Sequence, residues 1–106
     1  MKSLAPRELQ ARLAAGDGHL VLLDVREPWE FEIGHLDGAI NIPMANPEPS
    51  LADLDRAAET VVICHYGIRS REFTGHLERL GFTCVINLDG GIDAWSRQVD
   101  PALPTY

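Results

Sequence analysis

Cysteine is scarce in this chain. Cys64 and Cys84 are the two present, with no C-x-x-C pair and no His/Cys spacing of the zinc-binding kind. That composition argues against a disulfide framework or a metal site, and a reducing compartment is the default. Positive charge is scarce too. Lys and Arg number 9 against 16 Asp and Glu, for a net charge of −7 and a pI near 4.9. Non-specific nucleic-acid binding, which needs a basic surface to displace counterions, does not fit that balance. Long hydrophobic runs are absent. The start Met1-Lys2-Ser3-Leu4-Ala5-Pro6 has no apolar signal-peptide core, and no stretch is long enough to span a bilayer. The expectation is a soluble, cytoplasmic protein with no membrane partner. Gly90-Gly91 precedes a helical pattern but lacks the lysine of a phosphate-binding loop. Internal repeats and low-complexity tracts are missing as well.

What is present suits one core and not two: 106 residues, 45% hydrophobic and 24% charged. The chain is read as a single domain over 1–106, with an irregular tail at 98–106 that carries Pro101 and Pro104. Leu4 to Ala15 predicts a helix with Pro6 in its first turn and Leu9 and Leu13 on one face, stopped by Gly16-Asp17-Gly18. Leu20 to Val25 is an unbroken apolar run suited to a buried strand. Pro28 to Ile33 predicts a helical turn, Ala39 to Ile42 a short strand, and Pro43 to Pro49 a loop. Ser50, with Asp53 three residues on, reads as the N-cap of a helix reaching about Ala58. Thr60 to Ile63 is a strand, and Ile68 to Leu80 a helix with Phe73, Leu77 and Leu80 on its apolar face and Gly81 as its stop. Phe82 to Leu88 is a further strand, and Ile92 to about Arg97 a last helix, with Trp95 as a core residue. Strands that are continuously apolar and alternate with helices define an α/β fold, a parallel sheet covered on both faces. Sites in such sheets form beyond the carboxyl ends of the strands.

Cys64 lies at one such end. The run Val61-Val62-Ile63 delivers it to a short loop, His65-Tyr66-Gly67-Ile68-Arg69-Ser70, that opens the next helix. Residues 65 to 69 suffice to curl successive backbone N–H groups over the sulfur as an anion-binding nest, and Gly67 allows a positive φ. The helix dipole, those amides and Arg69 would favour a thiolate, which is the nucleophilic form. Arg69 and Arg71 would supply a local positive island in an acidic chain. A free cysteine at a strand end is also commonly a small, inert core residue, and the glycine and arginine beside it favour the functional alternative. His65 and Tyr66 are candidate contacts to a substrate or partner. Asp24 and Arg26 share a side of an extended segment and can clamp adjacent loops, a supporting role. Asp24 and Asp89 also sit at strand ends and are candidates to line the same edge as Cys64. Glu30, His35 and Asn41 are polar residues spaced through the next crossover, and His35 suits a turn anchor better than a base. Cys84 reads as a packed mid-strand hydrophobe; a resolving role would need it beside Cys64.

Four segments then converge. They are Asp24-Val25-Arg26-Glu27-Pro28-Trp29-Glu30-Phe31, Gly34 to Pro43 (GHLDGAINIP), Cys64 to Ser70 (CHYGIRS) and Leu88 to Trp95 (LDGGIDAW). Together, in order, they resemble the rhodanese-like sulfurtransferases from about Pro6 to Trp95. The resemblance implies five parallel strands flanked by helices, so one strand has no signature of its own; Lys2 to Ala5 is its expected place. It implies that Cys64 takes the outer sulfur of thiosulfate or another persulfide donor. It further implies that the loop residues His65, Tyr66, Gly67, Ile68, Arg69 and Ser70 hold that sulfur and the donor. A thiol, a protein cysteine or cyanide then accepts the sulfur, with no metal or organic cofactor required. Asp24, Arg26, Glu30 and His35 are the supporting residues. A related Cys-dependent phosphatase or arsenate reductase would need C-x5-R, whereas this chain has C-x4-R with Ser70 in the arginine's place. A binding module or a persulfide carrier dedicated to one partner is the remaining alternative.

Overall fold

A computed structural model describes residues 2–16, 19–45 and 50–104. Five strands, β1 (Lys2–Leu4), β2 (Val21–Asp24), β3 (Ile40–Asn41), β4 (Thr60–Ile63) and β5 (Val85–Leu88), form one sheet in the order β1-β5-β4-β2-β3. Every pairing is parallel. Three helices lie between strands, α1 (Pro6–Ala14), α2 (Pro28–Ile33) and α3 (Ile68–Arg79), and α4 (Gly91–Gln98) follows β5. The strand without a signature is β1, where Lys2, Ser3 and Leu4 pair with Ile86, Asn87 and Leu88. Three residues carry no readable period, and pairing with β5 is what makes them a strand.

Successive side chains along a strand alternate between faces, and the core divides accordingly. Leu23, Val62, Cys64 and Val85 point into a cluster closed by Phe73 and Leu77 of α3. Leu22, Val61, Ile63, Ile86 and Leu88 point the other way, into a cluster closed by Leu9 of α1 and by Ile92 and Trp95 of α4. The sheet is thus covered on both faces, as continuous apolar strands require.

Several expected boundaries move. The first helix begins at Pro6 because Leu4 belongs to β1, and of its two leucines Leu9 is buried while Leu13 is 37% exposed. The Asp17-Gly18 stop, the end of the proline-rich loop (46–49) and the Ser50 side-chain cap fall outside the described residues. The helix expected from Ser50 to Ala58 is a single 3-10 turn, Ser50–Asp53. Its continuation is diverted by side chains: Asp55 accepts the Ala57 N–H at 2.9 Å, and the Arg56 guanidinium donates to the Leu80 carbonyl at 2.9 Å. Strands β2, β3 and β5 are shorter than expected, and α4 runs from Gly91 to Gln98, so Gln98 is helical and not tail. Cys84 precedes β5 and is half-buried. None of the described helices is long and apolar enough to cross a membrane.

Candidate active site

β4 ends at Ile63, and Cys64 follows with its side chain 1% exposed. Its carbonyl accepts the Ile92 N–H at 2.8 Å, and the His65 carbonyl accepts the Asp93 N–H at 3.0 Å. The first turn of α4 therefore grips the base of the loop. Gly91 is required there: its φ is +61°, and a Cβ would collide with the Cys64 and His65 carbonyl oxygens.

The loop closes at Gly67, whose φ of +87° makes it the N-cap of α3. An N-cap side chain ordinarily accepts an N–H of the first turn, and Gly67 has none to offer. The Cys64 sulfur takes that place. Sγ accepts the Gly67 N–H at 3.1 Å and the Ser70 N–H at 3.2 Å. Ser70 Oγ lies 3.3 Å from the same sulfur. These donors and the positive end of α3 stabilise negative charge on Sγ. Of the amides of residues 65 to 69 expected to converge on the sulfur, that of Gly67 bonds it, and Ser70, one residue beyond that span, supplies a second.

A cavity of about 580 Å³ opens over the sulfur, lined by Cys64, His65, Tyr66, Ile68 and Arg69 together with Glu27, Trp29 and Glu30. Its rim is apolar and open: Trp29 is 58%, Tyr66 59% and Ile68 70% exposed. Burial holds the His65 imidazole below its ordinary pKa of 6.5, against the raising influence of Asp93 and Glu30. Arg69 donates to the Glu30 carboxylate at 3.2 and 3.4 Å. Glu30 also accepts the Glu27 N–H at 2.9 Å, so one buried carboxylate caps α2 and positions the loop arginine. Arg71 points elsewhere, to within 3.8 Å of Asp89 at a second cavity, so the two arginines do not form one positive island.

Asp24 and Arg26 form a buried clamp beneath this corner. Arg26 donates to both Asp24 oxygens at 2.7–3.1 Å and to the Gly34 carbonyl at 2.7 Å. Asn41 donates to the carbonyls of Asp24 and Arg26. Asp24 is therefore enclosed and does not line the cavity edge, while Asp89 lines the second cavity. His35 lies apart from the sulfur: it stacks on Phe31, bonds the Phe31 carbonyl at 2.8 Å, and lines a separate cavity with Trp95 and Leu103. Cys84 is remote as well. Its carbonyl accepts the N–H of Thr60, the first residue of β4, whereas Cys64 follows the last. The length of β4, roughly 13 Å at the strand rise, separates the two cysteines, too far for a disulfide.

Sequence reasoning gives Glu27 and Trp29 no role beyond their place in a matching segment, and it gives Asn87 none. Trp29 adjoins a helix-opening proline, where an exposed aromatic is a usable signal. Asn87 is a polar residue inside an apolar strand, and it is fully buried.

A parallel α/β sheet that presents a cysteine sulfur to the amides of the following helix defines the class. Residues 5–98 match the rhodanese-like domain family, and the chain belongs to it. It is 39% identical, over 98% of its length, to the probable adenylyltransferase/sulfurtransferase MoeZ of Mycobacterium tuberculosis, of which it spans 27%. It is 40% identical, over 80% of its length, to the chloroplastic rhodanese-like/PpiC domain-containing protein 12 of Arabidopsis thaliana, spanning 30% of it. The chain thus covers about a quarter to a third of these relatives. Among solved structures, the rhodanese-like domain protein of Staphylococcus aureus superposes with a TM-score of 0.84 at 28% identity, covering 100% of this chain and 99% of that one. The rhodanese-related protein of Thermoplasma volcanium gives 0.82 at 29%, covering 93% and 94%.

Proposed function

We propose that this protein transfers sulfane sulfur through a persulfide on Cys64, from thiosulfate or a persulfide donor to a thiol or cyanide. The observation that carries this reading is the pair of amide donations from Gly67 and Ser70 to Cys64 Sγ. Relatives named as sulfurtransferases support it. In the first step the Cys64 thiolate attacks the donor's outer sulfur. A new S–S bond forms to Sγ, the donor's own S–S bond breaks, and its electron pair leaves on sulfite or a thiolate. In the second step an acceptor thiolate or cyanide attacks that outer sulfur, and the electron pair of the Sγ–S bond returns to Cys64. The Gly67 and Ser70 amides, with the α3 dipole, meet the charge that leaves and returns. Arg69 would steer an anionic donor, His65 and Tyr66 would wall the cavity, and the Asp24–Arg26 clamp would hold the loops. The chemistry calls for no cofactor.

A second reading, a carrier that loads sulfur but hands it to a single protein partner, draws on the exposed apolar rim of Trp29, Tyr66 and Ile68. A phosphatase reading is disfavoured because Ser70 occupies the position that chemistry needs for arginine. The test is intact-mass spectrometry of the protein after thiosulfate or persulfide treatment, followed by cyanide or thiol. One sulfur atom added at Cys64 and then removed supports the proposal. No added mass with either donor sinks it. Loading with negligible steady-state turnover favours the carrier.

A further inference from the structure

Asn87 sits in β5 between Val62 on one neighbouring strand and Ser3 on the other, with no exposed surface. A buried amide at such a position is unfavourable unless its polar atoms are bonded. Here they are bonded largely to the cysteine loop. Asn87 Nδ2 donates to the Gly67 carbonyl at 3.3 Å and to the Asp89 carboxylate at 3.3 Å. Asn87 Oδ1 accepts the Ser70 hydroxyl. Gly67 and Ser70 are the same two residues whose N–H groups hold Cys64 Sγ.

The orientation of this amide follows from its partners. A carbonyl and a carboxylate only accept, so the NH2 group must face them, and Oδ1 faces Ser70. Ser70 has one hydroxyl proton and two oxygens or sulfurs to give it to. When Cys64 is a thiol, its S–H donates to Ser70 Oγ while Ser70 donates to Asn87. When Sγ is an anion it offers no proton, and the hydroxyl can turn from Asn87 Oδ1 to the sulfur 3.3 Å away.

We infer that the Ser70 hydroxyl is a charge-following donor, parked on Asn87 while Sγ is uncharged and turned to Sγ when charge returns to it, with Asn87 as the positioning residue that supplies the resting partner. Its use in turnover rests on the sulfur-transfer reading. The charge develops as the Sγ–S bond breaks in the second step, so the hydroxyl stabilises that leaving thiolate more than the persulfide ground state. The turn itself makes and breaks no covalent bond: the proton stays on Ser70 Oγ, and its hydrogen bond passes from Asn87 Oδ1 to Cys64 Sγ.

The test is the pH dependence of Cys64 alkylation by iodoacetamide in a Cys84→Ser background, which reports the thiolate pKa without any sulfur donor. The charged and titratable groups around this corner, Arg26, Glu27, Glu30, His65, Tyr66, Arg69, Arg71, Asp89 and Asp93, are kept in every variant. Ser70→Ala removes the donor and is expected to raise the apparent pKa by about one unit, a tenfold change in thiolate fraction below it. Asn87→Leu removes the competing acceptor while roughly keeping volume, and lowers the pKa by up to about one unit. Added to Ser70→Ala, Asn87→Leu leaves the pKa where Ser70→Ala put it. That non-additivity is the signature, because a merely structural Asn87 would shift the pKa equally with and without the hydroxyl. Equal shifts in both backgrounds, or no shift from Asn87→Leu alone, would overturn the inference. Should Asn87→Leu not fold, Asn87→Val, smaller and suited to a strand, carries the same comparison. Sulfur loading read by mass is a separate measurement, so failure of the persulfide reading and failure of the hydroxyl switch are told apart.

Discussion

The Arg69 guanidinium, the Lys or Arg cation closest in sequence to Cys64, lies 3.2 Å from a Glu30 carboxylate that is 5% exposed. The charge available to an anionic donor is therefore offset by a fixed anion. Glu30→Gln keeps an oxygen for the Glu27 N–H and removes that offset. The expected outcome is a KM for thiosulfate lower by roughly 3–10-fold with kcat little changed, an effect that shrinks as salt is added. Arg69→Ala should raise the same KM and leave use of an uncharged persulfide donor comparatively intact. Steady-state kinetics with both donors checks each arm; an unchanged specificity constant for thiosulfate in Arg69→Ala would contradict its assignment.

Cys64→Ser should abolish transfer while keeping the fold. The serine oxygen is smaller but occupies the same place at the head of α3 and accepts the same two N–H groups. We expect stability within about 1 kcal/mol of the parent by urea titration, and no sulfur retained after donor treatment. Measurable turnover in this variant would remove Cys64 from the mechanism.

The order of elements and the cysteine loop were legible because each has a local cause. Val61-Val62-Ile63 is apolar on both sides of the chain, Gly67 permits the left-handed turn, and Phe73 and Leu77 repeat at helical spacing. The pieces that were not legible have tertiary causes. Lys2-Ser3-Leu4 becomes a strand by pairing with β5, and the segment after Ser50 loses its helix to bonds made by Asp55 and Arg56. Glu30 could be named as a supporting residue, but its partner Arg69 lies 39 residues away, and the contact exists only once α2 and α3 meet at the sheet end. Asn87 and Ser70, 17 residues apart, join in the same way.

Asp24 and Arg26 are 0% and 1% exposed and bond each other several times over. Removing one partner strands the other's charge in the interior. Arg26→Met should therefore cost about 3–5 kcal/mol, a large part of the stability of a domain this size. Adding Asp24→Asn to that variant removes the stranded charge and keeps an acceptor for the residue 26 N–H. The double variant should recover part of the loss. Urea midpoints of the three proteins read this directly, and a double variant less stable than Arg26→Met would refute the argument.

His65 gives the fold a pH dependence whose sign follows from burial. Its imidazole is 8% exposed and titrates below the ordinary 6.5 because burial penalises the charged ring. Below about pH 6.5 the unfolded chain takes up a proton at this position that the folded protein does not, so protons pull toward unfolding. Stability should fall as pH drops from that value toward the folded pKa, with a contribution of at most about 1.4 kcal/mol per pH unit. Glu59, held below 4.5 chiefly by its hydrogen bond from Arg12, loses its own contribution in a lower window that a His65 variant shares. His65→Gln, which cannot protonate, should give a flatter curve between about pH 7.5 and about pH 5.5 and leave the more acidic limb in place. Urea unfolding across that range, on parent and variant together, is the check: superimposable curves would mean that the folded protein accommodates a charged ring at this position as readily as water does.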